Sequence, residues 1–229
     1  MFNADVCALT GDGQPQLVLL DLDGTLIDSV PDLAAATDKM LVALGRKAAG
    51  PQQVAHWVGN GADMLVRRAL AEGNEDAALA LDADEVSLAR QHFDDAYLAC
   101  LHHATGAFAG VDTFLQTIEA RKVLVTNKPR LFTEPLIRSL GWQTYFAFLL
   151  CGDDLAEKKP SPVPVLHACK ETGIKPSQTI MIGDSRHDIA AAKAAGVATV
   201  AVTYGYNHGD DIRNSAPDLV VDSLSELLV

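Results

Sequence analysis

Apolar residues along the chain form two kinds of pattern. Short, nearly continuous runs of Val, Ile and Leu alternate with longer stretches whose apolar positions recur at helical spacing. The runs are QLVLLDLD (16–23), KVLVTN (122–127), FAFLLCG (146–152), TIMIGD (179–184), ATVAVTY (198–204) and DLVVD (218–222). Helical stretches follow near 110–121, 131–140, 162–173 and 186–195. Strands that lack alternating polar positions are buried on both faces, so this alternation predicts a parallel sheet covered by helices on both sides.

A different pattern holds between the first run and residue 105, where every stretch has helical spacing. The predicted helices lie within 31–45, 51–59, 61–73 and 84–101. We therefore predict an α/β fold, in which a Rossmann-like parallel sheet core (1–29 and 105–229) carries helices on both faces and an all-helical section (30–104) is inserted after the first strand. Residues 1–15 end in Gly-Asp-Gly-Gln-Pro and are expected to form a loose arm.

Polar side chains lie at the ends of four of the predicted strands or in the segments that follow them. They are Asp21, Asp23 and Thr25, then Thr126 and Asn127, then Lys159, and finally Asp184 and Asp188. Ligands of open parallel sheets bind at the carboxyl ends of the strands, so we expect these groups at one edge. Each alone has an ordinary alternative, such as a helix cap for an aspartate or a solvated surface charge for the lysine.

Together, the carboxylates of Asp21, Asp23 and Asp184 would repel one another unless a cation neutralised them. An oxygen-only cluster suits Mg²⁺, which keeps water ligands that a phosphate can displace. We therefore expect Mg²⁺ as the cofactor.

Two carboxylates at one strand end can do different work in phosphoryl transfer. Asp21 would attack phosphorus and become an aspartyl phosphate, while Asp23 would protonate the leaving oxygen and later activate water. Phosphoryl transfer otherwise needs positioning and charge neutralisation, which Thr126, Lys159 and the amides around Gly24 would supply. Thr25 and Asn127 are further candidates for phosphate binding because they lie at the same edge.

Four motifs carry a resemblance to a known family. They are DLDGT (Asp21–Thr25), VLVTN with Thr126, KKPSP with Lys159, and IGDSRHD with Asp184 and Asp188. In this order they resemble the haloacid dehalogenase-like phosphatases, and the helical insertion looks like the mobile cap of that family. Within the family, HWVGNGADMLVRRAL, TNKPR and TYGYNHG are most similar to the bacterial phosphoglycolate phosphatases.

The resemblance implies a role for each motif residue. Asp21 would take the phosphoryl group, Asp23 would protonate the departing hydroxyl, and Thr126 and Lys159 would hold the phosphate. The family's metal ligands correspond here to Asp21, the backbone carbonyl of Asp23, and Asp184. Asp188 would be a further ligand or act in the metal's outer shell. The expected substrate is a small phosphorylated metabolite, with 2-phosphoglycolate preferred.

The VGNGAD segment of the helical section offers a second binding element. Gly59 and Gly61 flank Asn60 before a helix, so the amides there would meet a small anion such as a carboxylate. The alternative is that the two glycines only connect helices. Arg68 would counter the same carboxylate, or would be an ordinary solvated helical arginine.

Bulk composition narrows the partners and the compartment. The 229 residues carry a formal charge of −12, which disfavours nucleic acid and anionic lipid as partners. Four scattered cysteines, no long apolar run and no basic leader favour a cytoplasmic protein. Either a monomer or a homodimer is compatible with this composition.

Other functions remain open at this level. A sugar-phosphate phosphatase, for example one acting on an amino-sugar 6-phosphate, or a phosphomutase would share the aspartyl phosphate. A hydrolytic dehalogenase would have Asp21 attack carbon, and the charges of Asp23 and Asp184 would then oppose the nucleophile. A receiver-like phosphorylation switch also uses acids, a threonine and a lysine on a parallel sheet, but it needs neither the helical insertion nor Asp23.

Overall fold

A computed structural model describes residues 1–11 and 13–229 of the chain. Its eight strands form a six-stranded sheet and a separate two-stranded ribbon. In chain order the strands are β1 (Leu17–Leu20), β2 (Ile27–Asp28), β3 (Gly106–Ala107), β4 (Arg121–Val125), β5 (Phe148–Leu150), β6 (Thr179–Gly183), β7 (Ala198–Val202) and β8 (Leu219–Val221). The large sheet is parallel throughout, in the order β5-β4-β1-β6-β7-β8. The predicted α/β class is confirmed.

Strand β1 lies inside the sheet, between β4 and β6, and both of its faces are buried. Val18 and Leu20 pack into one hydrophobic cluster, while Leu17 and Leu19 pack into another on the opposite face. This burial on both sides explains why the strand has no alternating polar positions.

Ten helices surround and extend the sheet within the described residues. They are α1 (Ala4–Ala8), α2 (Val30–Ala43), α3 (Pro51–Trp57), α4 (Ala62–Leu70), α5 (Glu75–Ala80), α6 (Ala83–Leu98), α7 (Val111–Thr117), α8 (Arg130–Ser139), α9 (Val163–Thr172) and α10 (Arg186–Ala194). Helices α7 and α8 contribute to the cluster of Val18 and Leu20, whereas α9 and α10 contribute to the opposite one. The sheet thus has helices on both faces. None of the helices in the described ranges is long and apolar enough to cross a membrane.

The helical section between β2 and β3 contains α2 to α6, and α2 packs along α6. Short α5 was not predicted. The chain leaves and returns through β2 and β3, which pair antiparallel. Beside this ribbon, the carboxylate of Asp32 accepts hydrogen bonds from the amides of Ala104 and Thr105 and from the Thr105 hydroxyl. Both connections to the helical section are therefore tied to each other.

The expectation of a loose N-terminal arm is wrong for residues 1–11, and residue 12 lies outside the described residues. Asn3 caps α1 by accepting the amide hydrogen of Val6, and its own amide donates to the carbonyl of Leu227. Phe2 and Val6 are both buried, and the Phe2 ring packs edge-on against Phe114. The missed signal was an Asn that can cap a helix, together with two apolar residues, Phe2 and Val6, four positions apart.

Candidate active site

Asp21 follows β1 directly, so the central position of the strand places this carboxylate at the middle of the sheet edge. Its amide donates to the carbonyl of Ile182 and continues the parallel ladder by one residue. The chain then turns at Gly24, whose φ of +89° lies in the left-handed region. A β-carbon at Gly24 would collide with the carboxylate of Asp184. Glycine is needed here both for the turn and for close approach to that carboxylate.

Lys159 links two of the acids. Its side chain is buried, and Nζ lies 2.7 Å from Oδ1 of Asp21 and 2.7 Å from Oδ1 of Asp188. Burial opposes the charged form of Lys159, but the carboxylates of Asp188 and Asp21 more than offset it and raise its pKa. The ammonium is therefore held as a cation where an incoming phosphate would meet Asp21.

Asp184 is held by two donors from distant parts of the chain. The Thr25 hydroxyl donates to Oδ1 over 2.8 Å, and the amide of Tyr206 donates to Oδ2 over 2.8 Å. Burial and the neighbouring charge of Asp188 raise the pKa of Asp184 to about 7 despite these bonds. The pKa of Asp21 is also raised, first by burial and then by Asp188 and Asp184, against the opposing effect of Lys159.

Three carboxylates form a group that could hold a metal ion. Oxygen atoms of Asp21, Asp184 and Asp188 all lie within 4.8 Å of one another, and all three residues are buried. Burial of several acids together is costly, and a hard divalent cation relieves that cost. Asp23 does not contribute its carboxylate to this group.

Asp23 points toward a different set of partners. Its Oδ1 accepts a hydrogen bond from the Ser29 hydroxyl over 2.5 Å and forms an ion pair of 2.9 Å with Nζ of Lys128. Lys128 is buried, and its ammonium lies 4.8 Å from the centre of the Tyr97 ring. The two predicted catalytic acids thus occupy different electrostatic environments, one paired with Lys159 and the other with Lys128.

Thr126 is buried at the end of β4, and its hydroxyl oxygen accepts the amide hydrogen of Lys128. Asn127, predicted to bind phosphate, instead donates from Nδ2 to the carbonyls of Gly59 and Lys159. The Asn127 side chain therefore joins the helical section to the loop that carries the lysine. Its Oδ1 is buried without a hydrogen-bond partner in the described structure.

The VGNGAD segment lies against the sheet edge. The Asn60 side chain donates from Nδ2 to Nε2 of His187, and the Asn60 backbone carbonyl accepts from Nζ of Lys158. Burial lowers the pKa of His187 to about 3, so the ring accepts this bond as neutral imidazole.

Arg68 takes neither predicted role. It is buried, paired with Glu75, and donates to the carbonyl of Trp57. These contacts hold the helical section together internally.

A cavity lies between the sheet edge and the helical section. The sheet edge contributes Asp21, Asp23, Thr126, Asn127 and Lys128, and the start of α8 contributes Pro129 and Phe132. The helical section contributes Leu33, Val58, Gly59, Gly61, Ala62, Leu65, Phe93 and Tyr97. Both predicted catalytic acids border a space with mostly apolar opposing walls. The structure therefore brings the two acids and the helical section to the walls of one cavity.

Comparison with known proteins agrees with this arrangement. The family described as haloacid dehalogenase-like hydrolase matches residues 18–202, which is most of the chain. The chain belongs to the haloacid dehalogenase-like hydrolases. The predicted family membership is confirmed.

Relatives with established names are similar over nearly the whole chain. A phosphoglycolate phosphatase of Pseudomonas putida is 49% identical over 93% of this chain and 79% of its own length. One from Nitrosococcus oceani is 45% identical over 93% of this chain and 95% of its own. The crystal structure of a predicted phosphoglycolate phosphatase from Haemophilus somnus covers 94% of this chain and 97% of its own, with a TM-score of 0.87 and 35% identity. The prediction of a phosphatase, a phosphoric monoester hydrolase, is confirmed.

Several residues that build the site of this hydrolase were not predicted from the sequence. Tyr206 supplies the amide to Asp184, and the Tyr204 hydroxyl donates to the carbonyl of Thr25. Gly205 lies between them, so close to Asp184 that a β-carbon would overlap its side chain. The signal was present, because TYGYNHG follows β7 at the same sheet edge as the four motifs.

Proposed function

We propose that the protein is a phosphoglycolate phosphatase, which hydrolyses 2-phosphoglycolate to glycolate and phosphate with Mg²⁺ as cofactor and an aspartyl phosphate on Asp21 as intermediate. The observation that carries the proposal is the placing of Asp21 and Asp23 on one cavity, with Lys159 and Lys128 as their respective partners. The named relatives at 45% identity and above support the substrate.

The donor set fits Mg²⁺ because Asp21, Asp184 and Asp188 offer only hard oxygen atoms within reach of one another. These residues would hold the ion, together with the Asp23 backbone carbonyl. When bound, Mg²⁺ would offset the negative charge of the phosphate and of the carboxylates around it.

The protein's own groups then divide the reaction between them. Asp21 attacks phosphorus, so that an oxygen–phosphorus bond forms to the carboxylate as the bond to the glycolate oxygen breaks. Lys159 and Thr126 hold the phosphoryl oxygens at the strand ends. Asp23 gives a proton to the departing glycolate oxygen and then takes one from the water that attacks the aspartyl phosphate. Ser29 and Lys128 hold Asp23 in position for both transfers.

We further propose that residues 30–104 act as a cap on a core formed by 1–29 and 105–229. The Gly59–Gly61 segment contacts Asn127, Lys158 and His187 of the core, which is the contact expected of a cap that closes over the cavity. Closure would exclude water and limit the size of the leaving group. Gly59 and Gly61 line the cavity just before α4, where their backbone would limit the space left for the departing group.

The proposed setting is the cytoplasm, where the four cysteines, free in this structure, stay reduced. The partner is a small phosphorylated metabolite, since the net charge of −12 opposes nucleic acid and anionic membranes.

The deciding experiment is phosphate release with Mg²⁺ and with EDTA. The panel holds 2-phosphoglycolate, hexose 6-phosphates, amino-sugar 6-phosphates and nucleotides. We expect metal-dependent release, with kcat/KM for 2-phosphoglycolate at least about a hundredfold above the other substrates. A metal-dependent profile led by a sugar phosphate would reject phosphoglycolate but keep the chemistry. No metal-dependent release from any compound would reject the proposed mechanism and favour a phosphorylation switch.

A further inference from the structure

The cavity beside the catalytic acids is lined by two polar side chains, Lys128 and Tyr97, that no step of the proposed chemistry places in contact with the substrate. Among the described residues that line it, Lys128 is the only one with a basic side chain. Tyr97 lines the same space, and its hydroxyl is buried without a hydrogen-bond partner. A buried hydroxyl without a partner is costly, so a ligand in this cavity that offered an acceptor to the Tyr97 hydroxyl would relieve that cost.

The ammonium of Lys128 has donor capacity beyond its present contacts. It has three N–H donors, of which the structure gives one a carboxylate, Asp23, while the Tyr97 ring lies 4.8 Å away. The Lys128 side chain is 4% exposed, so few water molecules can solvate its charge. A second anion arriving in the cavity would therefore meet a poorly hydrated cation, and such contacts are stronger than those at the surface.

The remaining walls select against a polyhydroxylated group. Leu33, Leu65, Phe93 and Phe132 present apolar surface to the cavity. Sugar hydroxyls buried against such walls would lose hydrogen bonds to water without replacement. A short leaving group whose polarity is concentrated in one anionic end loses little, because that end can lie at Lys128.

We infer that Lys128 and Tyr97 form the leaving-group subsite, in which the Lys128 ammonium and the Tyr97 hydroxyl bind the carboxylate of a short phosphorylated acid. The inference rests on the proposed phosphatase function and adds the residues that choose its substrate. Lys128 comes from the core loop after β4 and Tyr97 from α6 of the helical section. The subsite is therefore complete only when the two parts of the molecule lie together, as they do here.

The test compares two substrates that differ in one charge. 2-Phosphoglycolate carries the carboxylate, and its carboxamide, 2-phosphoglycolamide, has nearly the same shape without the charge. We expect the wild-type kcat/KM to favour the acid by about 50-fold, the range of a hydrogen bond to a charged group. Lys128→Met should reduce this ratio by about tenfold, to the roughly fivefold preference that Tyr97 retains. Tyr97→Phe should reduce it by about fivefold, because the hydroxyl donates to a charged oxygen in the acid but to a neutral carbonyl oxygen in the amide, and the ratio loses the difference.

The ratio of kcat/KM for the acid to that for the amide separates recognition of the carboxylate from a general effect on Asp23. If Lys128 served only to position Asp23, Lys128→Met would slow both substrates equally and keep the ratio, which would overturn the inference. Lys122→Met is the matched control, since Lys122 is a buried lysine at the opposite end of β4 whose Nζ donates to the carbonyls of Ile118 and Ala120. It should retain the wild-type ratio.

The outcomes remain informative if Lys128→Met does not fold, because the wild-type ratio and Tyr97→Phe still test the subsite. A wild-type ratio near one would overturn the inference while leaving the phosphatase intact. A wild-type enzyme that hydrolyses sugar phosphates but not 2-phosphoglycolate would instead reject the proposed substrate, and the assignment of a carboxylate subsite with it.

Discussion

At the scale of single residues, Lys159 joins the two halves of the catalytic centre. One ammonium contacts both Asp21, the proposed nucleophile, and Asp188, a member of the acidic group that could hold a metal. The nucleophile is thus oriented by a cation on one side and by neighbouring carboxylates on the other. A change at Asp21 should affect the chemistry far more than the fold, because Lys159 keeps its contact with Asp188.

Asp21→Asn tests the covalent route directly. The amide keeps the shape of the side chain but removes the nucleophilic charge, so we expect kcat to fall by at least about 10⁴-fold. Thermal unfolding should remain cooperative, since a buried carboxylate is removed without leaving Lys159 unpaired. Phosphate release under saturating substrate measures the first effect. Activity near the wild-type level would exclude an aspartyl phosphate on Asp21.

Gly205→Ala tests the support of Asp184. The added methyl group would overlap the Asp184 side chain and displace it from the acidic group. We expect the Mg²⁺ concentration for half-maximal activity to rise by roughly tenfold, as for other changes behind a metal ligand. Gly106→Ala is the control, because a β-carbon there meets nothing within 4 Å. An unchanged Mg²⁺ requirement in Gly205→Ala would show that Asp184 does not bind the ion.

At the scale of elements, a helix or strand was predicted correctly when consecutive residues of the sequence show how it is buried. The sheet strands were predicted because a strand buried on both faces needs consecutive apolar residues, as in Leu17–Leu20. The short helices α1 and α5 were missed, since five or six residues carry too little periodicity to distinguish from a loop.

The same reasoning explains the outcome at the site. Motif residues such as Asp21 and Asp184 were placed together by the rule for parallel strand ends. Lys128 and Tyr97 come from distant parts of the sequence, and their meeting depends on how α6 packs against the core. Asn127 was correctly placed at the edge, but whether its amide meets a ligand or the Gly59 carbonyl depends on the same packing. Neither the composition of the chain nor the spacing of its residues indicates how the helical section packs against the core.

Phe2→Ala tests whether the N-terminal element belongs to the core. The ring is buried against Phe114, so its removal leaves a cavity that the ends of the chain can fill only in part. We expect a loss of about 3 kcal/mol in the free energy of unfolding, measured by urea denaturation. Val229→Ala, at a residue that is 91% exposed, should change it little. Equal effects of the two substitutions would mean that residues 1–11 do not contribute to the stability of the fold.

At the scale of the whole molecule, the cavity is enclosed by a small number of polar contacts. Lys158 donates to the carbonyl of Asn60, and Asn127 donates to that of Gly59. A modest number of hydrogen bonds, each contributing about 1 kcal/mol, is compatible with repeated opening and closing during turnover.

Lys158→Met should shift the balance toward the open form. Loss of one hydrogen bond reduces the closed-to-open ratio by about fivefold, so KM for the substrate should rise by up to a similar factor while kcat changes less. Hydrogen exchange of residues 58–62 should become faster in the same variant. Lys170→Met, at an exposed position on α9, serves as the control. If neither KM nor exchange changes, Lys158 does not contribute to closure.

The two-stranded ribbon of β2 and β3 would allow the helical section to be exchanged between related proteins. The covalent connections of the helical section to the core run through Ile27–Asp28 and Gly106–Ala107, which lie side by side as an antiparallel pair. A segment with adjacent ends behaves as an exchangeable cassette, since its removal or replacement leaves the sheet and all four motifs in place. Transplanting the cassette of a relative between Ser29 and Gly106 would therefore exchange α6, and with it Tyr97, while the host retained its proposed nucleophile and the Ser29 hydroxyl that holds Asp23. New substrate ranges could then arise by recombination at two junctions, without any change to the chemistry.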